Sequence, residues 1–312
     1  MRTLGAFLMR LGPLTCGRDR IARLKDIMLI DCRAIARELD IATSSAIQDW
    51  AARGVVPAVR EIVATDNEAV HSYVRTKQKK ADALGVDYRT IGFDRSVSNG
   101  QILDAIGALN LAADVHGIML GMPLFKHLDE EALANAIASN KDIDGLGSDN
   151  TAYLATNQEH LALAPATAIA AVHILERMTS LGGRRIAVLG RGRTVGRPVA
   201  AMLVNRDATV TICHSRSLGI DRLVAESEIV VSAIGRGHFV QPEWLRPSQI
   251  VVDCGISFIE GRTVGDVDAA AVAEPSVAIT PVPGGVGVVT NAMLFANLLR
   301  AVHLQQAEAS RP

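Results

Sequence analysis

The chain has 312 residues, with 32 Lys+Arg against 33 Asp+Glu, a formal net charge of -1 and 49% apolar positions. This composition excludes a disordered chain, and the lack of a basic excess argues against a protein that binds nucleic acid by neutralising phosphates. Phe 6, Tyr 3 and Trp 2 leave the core to aliphatic side chains, so each tyrosine is informative.

Residues 1–27 read as an N-terminal extension before Met28. Arg10 interrupts their short apolar stretch and no small-residue cleavage site follows, which argues against a targeting peptide. From Asp31 the pattern alternates between short β-rich runs and helical stretches, the signature of α/β units with a largely parallel sheet. The expected order is helix 31–48, strand 58–64, helix 67–84, strand 87–93, helix 99–111, strand 116–120 and helix 129–139. Lys141 to Asn157, rich in Asp, Gly, Ser, Thr and Asn, reads as a loop with a domain boundary near 150.

A helix is expected over 165–179, then strands 185–189, 208–213, 228–234 and 249–254 alternating with helices 195–205 and 218–226, and a closing helix over 290–304. The fold class is therefore α/β with two domains: an N-terminal substrate domain over 28–150 and a Rossmann-like nucleotide-binding domain over 151–288, followed by a C-terminal helix over 289–304. The uncharged run between Glu274 and Arg300 carries Pro275, Pro281, Pro283, Gly284, Gly285 and Gly287 in its first half. It is expected to be a loop and a buried helix, not a membrane span. Cys16, Cys32, Cys213 and Cys254 show neither C-x-x-C nor metal-ligand spacing, so a cytoplasmic protein without a metal site is expected.

The apolar run Arg185-Ile186-Ala187-Val188-Leu189 enters Gly190-Arg191-Gly192-Arg193-Thr194-Val195-Gly196-Arg197-Pro198 and then a helix. Strand, glycine turn and helix in that order suit a dinucleotide. Gly190 and Gly192 let the backbone approach a pyrophosphate, Gly196 lets the helix pack closely, and the helix N-terminus offers N–H groups to the anion. The spacing is G-x-G-x-x-x-G. The next strand ends in His214-Ser215-Arg216, where a NAD site would place an acid on the ribose. With Arg191 or Arg193 as a second cation, Ser215 and Arg216 suit a 2′-phosphate, and NADP is the expected cofactor.

In the first half, Tyr73 and Lys77 lie four residues apart on one helix face, where a phenol beside an ammonium can move a proton. The short-chain dehydrogenases also carry Y-x-x-x-K, but after their glycine turn, the reverse of the order here. Asp142-Ile143-Asp144-Gly145 places two carboxylates in a loop, and Pro281-Val282-Pro283-Gly284-Gly285-Val286-Gly287 can line a pocket with main-chain groups.

Together, Tyr73 to Lys77, Met122-Pro123-Leu124, Lys141 to Gly145, the Gly190 to Pro198 loop, Thr211 to Arg216, Gly265-Asp266-Val267-Asp268 and Ile279 to Gly287 with Thr290 resemble the methylenetetrahydrofolate dehydrogenase/cyclohydrolase family. The resemblance runs in order over residues 31–304. It implies a homodimer with folate held between two domains, and a hydride passed from 5,10-methylenetetrahydrofolate to NADP. In many members hydrolysis of the methenyl product to 10-formyltetrahydrofolate follows. It implies Lys77 as the catalytic lysine, Tyr73 stacked on the folate, Asp144 holding the pterin, and Pro283, Gly284 and Gly285 positioning folate and nicotinamide.

The chain departs from the family pattern at Gly121, where a glutamine partners the lysine during hydrolysis. Alanines follow Pro165 where a proline and a glycine stand, Gly192 replaces a serine, and Cys32 and Ala69 replace a glycine and a serine. The expectation is a dehydrogenase with weak or absent cyclohydrolase activity. The alternatives are a full bifunctional enzyme, a lapsed folate- or nucleotide-binding relative, and a Rossmann dehydrogenase for another small substrate.

Overall fold

The computed structural model of the chain describes residues 21–24, 27–272 and 276–309. Its elements begin with β1 (Ile21–Leu24), β2 (Ile27–Ile30), α1 (Cys32–Ala51), β3 (Ala58–Val63), α2 (Glu68–Leu84), β4 (Asp87–Gly92) and α3 (Asn99–Leu111). There follow β5 (Gly117–Leu120), α4 (Glu130–Ala136), α5 (Ser148–Ala155), α6 (Ala166–Met178), β6 (Arg185–Leu189), α7 (Gly196–Val204), β7 (Thr209–Cys213) and α8 (Ile220–Glu226). The chain closes with β8 (Ile229–Ser232), β9 (Ile250–Asp253), β10 (Ser257–Ile259), β11 (Arg262–Val264), β12 (Ala278–Ile279) and α9 (Val286–Ala309).

Among the described residues, 39–166 and 294–309 form one compact unit, and 21–38 with 167–293 form a second. The first holds a three-stranded parallel sheet in the order β4-β3-β5. All six residues of β3 are buried, as expected of a central parallel strand covered on both faces. Ile62, Ile102, Ile106, Ile118 and Leu133 form the middle of its aliphatic core. Helix α2 starts where the Asn67 side chain accepts from the Ala69 N–H at 2.9 Å, and stops at Gly85 in the left-handed region. Its buried positions, Val70, Lys77 and Ala81, fall on one helical stripe, so a lysine faces the core.

The second unit holds a seven-stranded sheet in the order β1-β2-β12-β9-β8-β6-β7, parallel except for the β1–β2 pair. Val188, Val230, Val251 and Ile279 are fully buried in its strands. This is the expected α/β architecture, with a doubly wound nucleotide-type domain.

Strand pairing and buried polar groups move three expected boundaries. Ile21–Leu24 lies in the stretch read as an extension, yet it pairs antiparallel with β2, and β2 pairs in parallel with β12, so both strands belong to the second unit's sheet. Residues 1–20 lie outside the described part of the chain. The stretch Lys141 to Asn157, read as a loop, contains α5. There the fully buried Asn150 donates to the Asp142 carboxylate at 3.1 Å and accepts from the Leu163 N–H at 2.9 Å. These bonds keep residues through 166 with the first unit, beyond the expected boundary at 150.

The last helix is longer than expected because it begins directly after Gly285. Val286–Glu308 is apolar and long enough to cross a membrane, but 72% of its most apolar window is buried inside the protein. Within the first unit, Asn297 donates to the carbonyls of Ile143 at 2.9 Å and Ala164 at 2.8 Å. Gln305 donates to those of His116 at 2.8 Å and Asn140 at 3.0 Å. Such bonds mark a core helix that supports the Asp142–Gly145 turn.

Candidate active site

The first unit gathers Tyr73, Lys77 and Asp144 with two residues that motif reading missed, Glu61 and Tyr88. Glu61 stands in the middle of β3 and is wholly buried, and Lys77 approaches it from α2 with its Nζ 2.5 Å from Glu61 Oε1. The Tyr88 hydroxyl, from β4, donates to Glu61 Oε2. One turn before Lys77, the Tyr73 ring lies with its centroid 4.7 Å from the ammonium, a cation–π contact. Tyr73 is 43% exposed and Asp144 is half-buried, so both can meet a ligand, whereas Lys77 and Glu61 are buried.

Burial raises the Glu61 carboxyl above the ordinary range and Asp144 adds to that, while the Lys77 charge and hydrogen bond oppose it. Burial likewise raises Asp144, again opposed by Lys77. The Tyr73 phenol is pushed up by desolvation, then by Asp144 and Glu61. The ammonium thus pairs with Glu61 and lies against the Tyr73 ring, Tyr88 holds the far oxygen of Glu61, and Asp144 acts electrostatically on the group, an arrangement able to store and pass a proton. Asp142 takes no part in that group. It accepts from Gly147 N–H at 2.7 Å and from Asn150 and closes the turn, and burial lifts its carboxyl to about 6. Gly145 is required there: its φ is +63°, and a Cβ would stand 2.4 Å from the Leu163 carbonyl.

Gly121 lies beside the same carboxylate. A Cβ added to it would meet Glu61 Oε1 at 3.4 Å and Val70 Cγ1 at 3.2 Å. A charged residue inside an apolar strand such as Ala58–Val63 was the one signal in the sequence that could have exposed Glu61, because an unpaired charge is not tolerated there.

In the second unit, the register Leu189↔Cys213 brings the ends of β6 and β7 side by side, placing the Gly190 loop next to His214-Ser215-Arg216. Gly190 has φ +109° and a Cβ there would meet the Ala233 carbonyl at 2.3 Å, while at Gly196 one would meet the Gly190 carbonyl at 2.2 Å. These two glycines are imposed by the turn itself, whereas a Cβ at Gly192 would meet nothing. Arg191, Gly192, Arg193, Ser215 and Arg216 are all exposed. An apolar pocket of about 150 Å³ opens beside them between Leu189, Ile220, Ile234 and Phe239, with His214 and Ser215 on its lining.

The loop after β8 that forms one side of this pocket is held by Asp266. This wholly buried carboxylate accepts from Ser232 Oγ at 2.8 Å and from the N–H groups of Ile234, Gly235 and Arg236 at 2.8, 3.3 and 2.8 Å. Asp253 in turn accepts from Gly255, Asp266 and Val267, and burial raises its carboxyl to about 6. Pro283, Gly284 and Gly285 also belong to this unit. A Cβ on Gly284 would come 3.5 Å from the Arg33 guanidinium, and one on Gly285 would meet the Pro281 carbonyl at 2.1 Å. No group of three or more potential metal ligands occurs among the described residues.

Two family descriptions match the chain: the tetrahydrofolate dehydrogenase/cyclohydrolase catalytic domain over residues 30–144, and the NAD(P)-binding domain of the same family over residues 165–306. The chain belongs to the tetrahydrofolate dehydrogenase/cyclohydrolase family. Its relatives in that family include the bifunctional protein FolD of an Exiguobacterium species, 36% identical over 86% of this chain and 96% of the relative. FolD of Thermotoga petrophila is 37% identical over 89% of this chain and all of the relative.

Among solved structures, the bifunctional FolD dehydrogenase/cyclohydrolase of Campylobacter jejuni superposes with a TM-score of 0.86 at 30% identity, covering 89% of this chain and 99% of that one. The Trypanosoma brucei enzyme, solved with NADP cofactor and inhibitor, gives 0.84 at 32% identity over 92% and 100%. The tetrahydrofolate dehydrogenase/cyclohydrolase fold thus covers both units of this chain.

Proposed function

We propose that this protein is an NADP-dependent methylenetetrahydrofolate dehydrogenase that also hydrolyses the methenyl product, a bifunctional enzyme. The observation that carries the reading is the buried Lys77 ammonium paired with Glu61 and lying against the Tyr73 ring, close enough to Asp144 to act on its carboxyl, in a family whose similar members are named as bifunctional. Those relatives weigh against the weaker hydrolysis expected from Gly121 alone.

The nucleotide residues fit NADP. The turn at Gly190 and Gly196 admits no side chain, the apolar pocket beside Ser215 accepts an adenine, and Ser215 and Arg216 offer a hydroxyl and a cation to a 2′-phosphate, with Arg191 and Arg193 on the adjoining loop. NADP, when bound, supplies the hydride acceptor. Tyr73 stacks its exposed face on the folate and Asp144 accepts from the adjacent pterin N–H groups, while Pro283, Gly284 and Gly285 supply main-chain positioning. Hydride transfer needs chiefly this positioning, whereas hydrolysis also needs a proton moved at Lys77 Nζ.

The test follows NADPH and methenyltetrahydrofolate by absorbance after mixing purified protein, 5,10-methylenetetrahydrofolate and NADP. No absorbance from either product refutes the dehydrogenase. Added methenyltetrahydrofolate decaying at the uncatalysed rate refutes the hydrolytic half, leaving the dehydrogenase-only reading that Gly121 favours.

We also propose a cytoplasmic homodimer. The described cysteines Cys32, Cys213 and Cys254 are free thiols. Strand β7 is an outer strand of its sheet, with Ile212 43% exposed, and an open edge of this kind suits a second copy. A sedimentation mass near 33.1 kDa would refute the dimer.

A further inference from the structure

Hydrolysis of the methenyl cation adds water to the bridging carbon and releases one proton overall. Lys77 can receive that proton only after giving up its own, and in the first unit the nearest acceptor is Glu61, 2.5 Å from Nζ. We propose that Glu61 is the positioning residue of the hydrolytic step: it holds the Lys77 ammonium and takes its proton, beside Gly121, which offers no side-chain partner. This rests on the bifunctional reading above.

The step balances. Lys77–NH3+ and Glu61–COO− become Lys77–NH2 and Glu61–COOH. The water oxygen then bonds the methenyl carbon while its proton passes to Lys77 Nζ. In the resulting carbinolamine the hydroxyl proton moves to N5 as the C–N5 bond breaks, giving 10-formyltetrahydrofolate, and Glu61 later releases its proton to solvent.

Three observations carry the proposal. Glu61 is wholly buried in a central strand, where a charge persists only with a partner, and its partner is the lysine of the site. The Tyr88 hydroxyl bonds the other carboxylate oxygen, fixing the group so that Oε1 faces Lys77. A Cβ at 121 would meet that oxygen at an ordinary contact distance of 3.4 Å, so a long polar side chain there would reach the same carboxylate and intrude on its pairing with Lys77. The groups facing Glu61 are Lys77 from α2, Tyr88 from β4, Tyr73 from α2 and Asp144 from the turn between α4 and α5. Burial, reinforced by Asp144, makes Glu61 a readier proton acceptor than an exposed carboxylate.

The experiment measures kcat and KM for methenyltetrahydrofolate hydrolysis against pH, with NADP-linked oxidation alongside, in the wild type, Glu61→Gln, Glu61→Ala and Gly121→Gln. Expected are a fall in hydrolytic kcat of at least tenfold in Glu61→Gln with KM changed less than threefold, loss of the acidic limb of the pH profile, and partial rescue of Glu61→Ala by sodium formate but not by sodium chloride. Gly121→Gln is expected to lower hydrolysis as well, although it restores the residue of the family pattern.

Wild-type kcat and pH profile in Glu61→Gln, no rescue by formate, or a gain of hydrolysis in Gly121→Gln each overturn the proposal while leaving the bifunctional reading intact. A wild type that oxidises methylenetetrahydrofolate but does not hydrolyse the product overturns the proposal together with the hydrolytic half of that reading. A wild type without either activity overturns the reading as a whole.

Discussion

Lys77 illustrates how strongly one side chain is tied to its neighbours. Its side chain is 6% exposed and its ammonium lies against a Glu61 side chain with no exposure at all, so the pair survives burial only as a pair. Lys77→Met is therefore expected to lose roughly 3–5 kcal/mol at neutral pH, the cost of leaving a buried charge uncompensated. The loss should shrink on acidification, because Glu61, already raised by burial, then takes up a proton and becomes neutral. Urea denaturation at two pH values checks this, and an equal loss at both would contradict it.

In the nucleotide-binding unit, removing Arg216 deletes the cation proposed to meet a 2′-phosphate. Arg216→Ala is expected to weaken NADP binding by about 1.5–3 kcal/mol, or tenfold and more, and NAD binding little. Calorimetric titration with both nucleotides measures the difference, and equal weakening would remove Arg216 from the phosphate.

Helix α9 supports the site from outside its chemistry. The Asn297 amide bonds the carbonyls of Ile143, which adjoins Asp144, and Ala164, so one side chain fixes the turn that carries the carboxylate proposed to hold the pterin. Asn297→Ala leaves both buried carbonyls without that donor and is expected to cost about 1–3 kcal/mol and to raise the KM for folate several-fold while affecting NADP less. A folate KM unchanged in a destabilised variant would show that the turn holds itself.

Periodicity disclosed most elements, because α2, α3, β3 and β6 each agree with local preference, capping and burial. The Gly190 turn was legible for the same reason: its glycines are demanded by backbone contacts within a few residues. What sequence could not disclose depends on partners distant in the chain. Glu61 meets Lys77 sixteen residues on and Tyr88 twenty-seven on, and α5 is stabilised by a buried asparagine in a segment whose composition favours turns. The strands Ile21–Leu24 and Ala278–Ile279 are short, and each is defined by its pairing more than by its composition.

Across the whole molecule, stability should carry an acid signature from each unit. Asp142 in the first and Asp253 in the second are both raised by burial to about 6. A raised carboxyl makes the folded state bind protons more readily than the unfolded chain, so its contribution is complete below about pH 4 and is lost as pH climbs through about 6. Each group is worth on the order of 2–3 kcal/mol over that window. In Asp142→Asn, stability measured by denaturant between pH 4 and 7 should show a flatter decline than in the wild type, and identical slopes would contradict the assignment.

The division of the chain at residues 39, 166 and 294 also bears on how the protein is made. The unit that carries Lys77 and Asp144 takes its last sixteen described residues, 294–309, from the far end of the sequence. During synthesis those residues leave the ribosome after residues 21–293, so the nucleotide-binding sheet has all its strands before the unit carrying Lys77 has the helix that satisfies the Ile143 and Ala164 carbonyls. A nascent chain arrested before residue 294 would carry a complete Gly190 turn and an unfinished Asp144 turn.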